Sequence, residues 1–186
     1  DKAIAANKTS KLPKSFFAWD EMLAMNKVGF FPYTPATLML FGLDTGIEML
    51  HEEGLDNVFA RHDRLAEATR RAVKHWGLEI LCRDGKYYSP TLTAVLLPEG
   101  FNADQFRAMA LETFNISYGA SFGPFAGKYF RIGHLGDIND AMLMGCLSVT
   151  EMALQLFGVP VKKGGAQAAM DYLVTARGGA KTQAAE

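Results

Sequence analysis

The spacing of apolar positions changes along the chain, and each change marks an element. From Pro35 the pattern is helical, with Leu38, Phe41, Leu43, Ile47 and Leu50 on one side and Gly54 as the stop. Pro35 is placed in that helix's first turn, where a missing N–H costs nothing. A second helix is predicted over 56–76. Val58, Phe59, His62, Leu65, Thr69, Ala72, Val73 and Trp76 share its apolar face, and Glu67 and Arg71 pair on the other. Gly77 follows as a left-handed cap. The period then shortens. Residues 78–81 and 91–97 read as strands around a turn at 83–86, and 116–118 and 128–132 read as two more. Between them, Asn102 caps a helix running to Phe114, with Gln105 at the capping-box position. Asp137 is the predicted cap of a long helix that Gly158 and Pro160 close. A further helix is predicted over 162–172, and 175–186 reads as a frayed tail. Short strands separated by turns or one helix predict an α+β domain, with helices packed on a small, mainly antiparallel sheet.

Composition narrows the function. Of 186 residues, 49% are hydrophobic and 21% charged, enough to build a core. The formal charge of −1 gives no electrostatic footprint for nucleic acid or an anionic membrane. No apolar run is long enough to span a bilayer, and the first residues do not read as a signal peptide. Two cysteines, Cys82 and Cys146, make no disulfide framework and fit a reducing, cytoplasmic setting.

Three places offer chemistry. Arg131, in Tyr129-Phe130-Arg131-Ile132-Gly133-His134, sits in or at the end of a strand, where a guanidinium can grip a carboxylate with two parallel bonds. From the pattern alone, a structural salt bridge or an outward-facing strand residue is the more economical reading. In Phe30-Phe31-Pro32-Tyr33-Thr34-Pro35, the hydroxyls of Tyr33 and Thr34 precede a helix N-terminus, which suits an anion. A stiff connector with Thr34 as N-cap explains that segment equally well. His134 is the only histidine near Arg131, whereas His62 belongs to an apolar face and is expected to be packed. No histidine pair has metal-ligand spacing with a third partner. Ser121 lacks the helix and the acid–histidine order of a nucleophile elbow, and Gly119 to Lys128 is not a phosphate loop, because Tyr129 replaces the required Ser or Thr.

Three segments carry a family likeness: PYTPAT (Pro32 to Thr37), EGLDNVFARHDRLA (Glu53 to Ala66) and FRIGHLGD (Phe130 to Asp137). In this order and spacing they resemble the class V aminotransferases, in the serine–glyoxylate and alanine–glyoxylate group. GGAQAAMDYL, near the end, is similar to the tail of the serine–glyoxylate type.

The resemblance implies an enzyme of the aspartate-aminotransferase fold that uses pyridoxal 5'-phosphate and works as a homodimer. It would move an amino group from serine or alanine to glyoxylate. Arg131 matches the arginine that binds the substrate's α-carboxylate. Thr34, with Tyr33 beside it, matches the segment that reaches the neighbouring subunit's cofactor phosphate. The resemblance also implies a division into the tail of a large cofactor-binding domain (1–34), a linker helix (35–54), a small α+β domain (55–174) and a flexible tail (175–186). The family's cofactor lysine, the aspartate on the pyridine nitrogen and the aromatic over the ring all belong to an N-terminal large domain and have no match here. Ser10-Lys11-Leu12-Pro13 aligns with a Leu-Pro stretch downstream of that lysine, so it is no substitute. This chain alone is therefore expected to be inactive. The alternatives are a related transaminase with aspartate as donor, or a dimerisation or binding module that kept the small domain without the chemistry.

Overall fold

Gly54 divides the chain. Its φ of 82° is a conformation that suits glycine, and it begins the second of two compact units, Asp1–Glu53 and Gly54–Glu186. The computed structural model describes residues 1–183.

The first unit holds three helices, α1 (Lys2–Thr9), α2 (Trp19–Asn26) and α3 (Thr37–Glu53). Asn7 Nδ2 donates to Asp20 Oδ1 at 3.0 Å and ties α1 to α2. Helix α3 starts two residues later than Pro35 predicts. The Pro35 carbonyl is taken by a tight turn to Thr37 N–H at 2.9 Å, so the first helical bond runs from Leu40 N–H to Ala36. This removes Thr34 as the N-cap. Ala18 is the unit's only buried residue. Leu38 is 87% exposed and Phe41 66%, on a helix with no buried residue at all.

The second unit is built on α4 (Leu55–Trp76), which buries Val58, His62, Leu65, Thr69, Ala72, Val73 and Trp76 as its periodicity predicts. Phe59 is the exception and is exposed. Three strands follow, β1 (Glu79–Ile80), β2 (Leu92–Leu96) and, after α5 (Ala103–Phe114), β3 (Tyr129–Gly133). They form an antiparallel sheet in the order β1-β2-β3. Thr93, Val95, Phe130 and Ile132 point into the core. There Phe106 meets Phe130 at 4.7 Å and stacks on Tyr118 at 5.7 Å between ring centroids. Ring pairs at these distances add to the burial of their area. The opposite face, carrying Leu92, Ala94, Leu96 and Arg131, is only half-buried.

Several predicted elements shift. Residues 116–118 do not form a strand; the pairing there is a single bridge, one residue on, between Gly119 and Arg131. Asn102 caps α5 as predicted, accepting from Asp104 and Gln105 N–H at 2.9 and 3.1 Å. Helix α6 (Asp140–Leu156) is capped by Asn139 rather than Asp137, with Met142 N–H donating to Asn139 Oδ1 at 3.0 Å. Helix α7 spans Gly165–Gln183, so it continues through most of the predicted tail; 184–186 lie outside the described residues.

Two polar side chains fix this architecture. Glu151 of α6 reaches the start of α7 and accepts from Gly164 N–H (2.7 Å), Ala166 N–H (3.0 Å) and the Trp76 indole (2.9 Å). Gly165 is required beside it, because a Cβ there would overlap the Trp76 indole. Burial works to raise the Glu151 pKa, but these hydrogen bonds outweigh it and hold the carboxyl below its ordinary value. His134 is fully buried at the exit of β3. Its Nδ1 donates to the Pro90 carbonyl at 2.9 Å, so Nε2 accepts from Thr93 Oγ1 at 2.9 Å. Burial pushes its pKa down to about 4, against a weaker opposing effect of the Pro90 bond.

Two outcomes follow for stability. Glu151→Ala strips three donors of their acceptor and should cost about 2–3 kcal/mol in chemical denaturation; an unchanged midpoint would show that the α7 start is satisfied otherwise. His134 binds its proton more tightly in the unfolded chain than in the folded one. Its contribution is therefore complete above pH 6.5 and declines as pH falls toward about 4. The decline is on the order of 3 kcal/mol. In His134→Gln, that part of the stability–pH slope should vanish; a slope equal to the parent's would rule out a buried neutral imidazole.

Candidate functional site

Arg131 lies in the middle of β3 with its backbone held from both edges. Its N–H and C=O bond to Gly119, each at 3.0 Å, and it faces Ala94 across β2. Period-two alternation puts Phe130 and Ile132 in the core, and so turns Arg131 to the half-buried face. No carboxylate pairs with it among the described residues. Its neighbour instead is Phe122, whose ring centroid lies 4.5 Å from Arg131 Cζ. Arg131 Nε is buried without a hydrogen-bond partner. A guanidinium so placed keeps its terminal donors for something the described residues do not supply, and a carboxylate matches that fork.

The backbone after Arg131 is clamped by α4. Arg61 Nη1 donates to the carbonyls of Gly136 (2.7 Å) and Ile138 (3.0 Å). Gly136 N–H donates to His62 Nε2 at 3.1 Å, and His62 Nδ1 donates to the Val58 carbonyl at 2.7 Å. Arg64 pairs with Asp140, which also accepts from Arg177 Nε at 2.6 Å. His62 is thus packed as its face predicts, but it also braces the turn that holds His134. His134 lines no cleft, since both of its ring nitrogens are spent inside the fold.

Tyr33 and Thr34 lie in the other unit. The Tyr33 ring rests on Phe16, with centroids 5.2 Å apart, and its hydroxyl is 3.5 Å from Glu21 Oε2, a long bond. Thr34 is exposed and its hydroxyl makes no hydrogen bond among the described residues. Just beyond it, Thr37 N–H is taken by the Pro35 carbonyl, and the N–H groups of Leu38 and Met39 have no intrahelical acceptor. A hydroxyl beside such a helix end fits one edge of a phosphate group.

The other candidates are structural. Ser121 Oγ accepts from Gly127 N–H at 2.7 Å and closes its loop. Cys146 lies inside α6, and burial pushes its thiol up, away from the reactive thiolate. Sequence reasoning missed Gly119. A Cβ there would stand 2.8 Å from Arg131 Nε and 3.0 Å from Arg131 Cβ. The only local sign was a glycine directly after the Ile116–Tyr118 run.

Known proteins resemble this chain in both sequence and fold. It is 45% identical over 174 residues to a serine–glyoxylate aminotransferase of Hyphomicrobium methylovorum, covering 92% of this chain and 43% of that protein. It is 38% identical over 185 residues to an L-aspartate–glyoxylate aminotransferase of Paracoccus denitrificans, covering 99% and 47%. The crystal structure of ureidoglycine–glyoxylate aminotransferase from Bacillus subtilis superposes with a TM-score of 0.79 at 30% identity, over 90% of this chain and 44% of that one. No protein-family model matches the sequence. The chain thus spans a little under half the length of the relatives it matches. The small antiparallel sheet with its packed helices is the small domain of the aspartate-aminotransferase fold. In sequence and in fold, the chain corresponds to the C-terminal portion of the class V pyridoxal-phosphate aminotransferases of the serine–glyoxylate group.

Proposed function

We propose that this chain is the C-terminal part of a pyridoxal-phosphate-dependent transaminase that carries an amino group from serine to glyoxylate. The observation that carries the reading is Arg131, an oriented guanidinium on a half-buried sheet face with no carboxylate among the described residues to neutralise it. Every substrate of such a reaction, amino acid or 2-oxo acid, bears a carboxylate beside the reacting carbon. One arginine can therefore serve both half-reactions and fix that carbon relative to its grip. When bound, pyridoxal phosphate supplies the electron sink for the amino transfer.

In this reading Thr34 donates its hydroxyl to a cofactor phosphate oxygen, with Tyr33 beside it, across a homodimer. The catalytic lysine comes from the N-terminal large domain, so the part described here binds and orients but does not transfer protons. The exposed apolar residues of α3 and of the segment before it, Phe17, Trp19 and Leu38 among them, support a large docking surface rather than a free-standing module. The two free cysteines fit a cytoplasmic enzyme. Among the described residues, no helix is long and apolar enough to cross a membrane. Aspartate as donor is the second reading, favoured by the Paracoccus relative. Arg131 does not choose between donors, because both carry the carboxylate it would hold.

Both assignments are testable in the complete enzyme. Arg131→Ala should weaken binding of L-serine and glyoxylate on the order of a hundredfold while cofactor content stays near normal. Normal KM values for both would remove Arg131 from the site. Thr34→Val should leave substrate KM values almost unchanged but speed cofactor loss on dialysis several-fold, because one phosphate bond is gone. Retention equal to the parent's would argue against the phosphate role.

A further inference from the structure

The glycine-rich connection between α5 and β3 does more than join them. Its backbone is braced at two points: Gly127 N–H donates to Ser121 Oγ at 2.7 Å, and Phe122 N–H donates to Tyr129 Oη at 3.1 Å. Tyr129 stands two residues before Arg131, on the same face of β3, and is buried. Its hydroxyl therefore fixes Phe122 relative to the strand that carries Arg131. The Phe122 side chain is 62% exposed, so core packing does not explain its place. What it does contact is the guanidinium, with Cζ 4.5 Å from its ring centroid. On the near side, Gly119 closes against the Arg131 side chain so tightly that a Cβ would stand 2.8 Å from Nε. Nε is left buried and unbonded.

We propose that Phe122 is a positioning residue for Arg131, and that Gly119 and Phe122 together set the guanidinium for end-on capture of a carboxylate. The inference rests on the reading of Arg131 as the carboxylate grip. Three physical effects combine. Gly119 seals Nε, so a ligand reaches only the terminal nitrogens, Nη1 and Nη2. The ring face of Phe122 attracts the cation and restricts rotation of its plane. Tyr129 and Ser121 hold the loop, so the ring is in place before substrate arrives, which lowers the ordering cost of binding. The aromatic face contributes no hydrogen bond, so it competes with neither substrate oxygen.

The test uses the complete enzyme with L-serine and glyoxylate, and four variants. Phe122→Leu keeps an apolar side chain of similar volume but removes the ring quadrupole. It should raise KM for both substrates about fivefold with kcat and cofactor content nearly unchanged. Phe122→Tyr keeps the ring face and should stay within about twofold of the parent. Gly119→Ala should raise both KM values further, because its Cβ displaces the guanidinium. Parental KM values in Phe122→Leu overturn the proposal, as do equal losses in Phe122→Leu and Phe122→Tyr, which would mean that shape alone matters. Arg131→Ala separates the two claims. If it loses substrate affinity while Phe122→Leu does not, only the positioning role fails. If Arg131→Ala binds normally, the carboxylate reading fails first and takes this one with it.

Discussion

The direction of Arg131 is fixed by its backbone, because β3 is held on both edges at that residue. Ala94 faces it from β2 and Gly119 takes both of its backbone hydrogen bonds. A long, flexible side chain loses much of its rotamer freedom when it is aimed. Here a rigid strand and a fixed aromatic ring impose that loss in advance. The two flanking positions on its face are alanine and glycine, the smallest residues available, so the guanidinium stands on an uncrowded surface. The core beneath, with Phe106, Tyr118 and Phe130 in mutual ring contact, is what keeps the strand from moving.

The segments that carry the family likeness have a physical meaning. ARHDR in α4 and the residues from His134 to Asp140 that follow β3 lie far apart in sequence but are two halves of one clamp. Arg61 and His62 bond to the backbone of Gly136 and Ile138, and Arg64 pairs with Asp140. His134, inside the clamped turn, spends both ring nitrogens on Pro90 and Thr93. Around Arg131, the shared segments therefore supply several residues that hold the backbone leading to it.

Long amphipathic stretches were legible in the sequence. The buried face of α4 follows its period except at Phe59, and Asn102 and Gly77 cap where their chemistry requires. Features decided by neighbours distant in sequence were not. Asp137 and Asn139 are both good caps, and α6 takes Asn139, at the end of a turn whose Gly136 and Ile138 carbonyls Arg61 holds. Helix α7 begins where Glu151, from another helix, satisfies its N–H groups, which no local pattern around 165 records. Arg131 was visible as a candidate, but that no carboxylate among the described residues pairs with it was not. The need for glycine at 119 was equally hidden, since it depends on a side chain twelve residues away.

The role proposed for the Arg131 fork is to receive the substrate carboxylate. A crystal structure of the complete enzyme with a bound, unreactive substrate-like carboxylic acid tests it most directly. Both carboxylate oxygens should lie within hydrogen-bond distance of Arg131 Nη1 and Nη2, with Phe122 still over the guanidinium. A carboxylate seated on a different cation, with Arg131 turned to a protein acid, would contradict it.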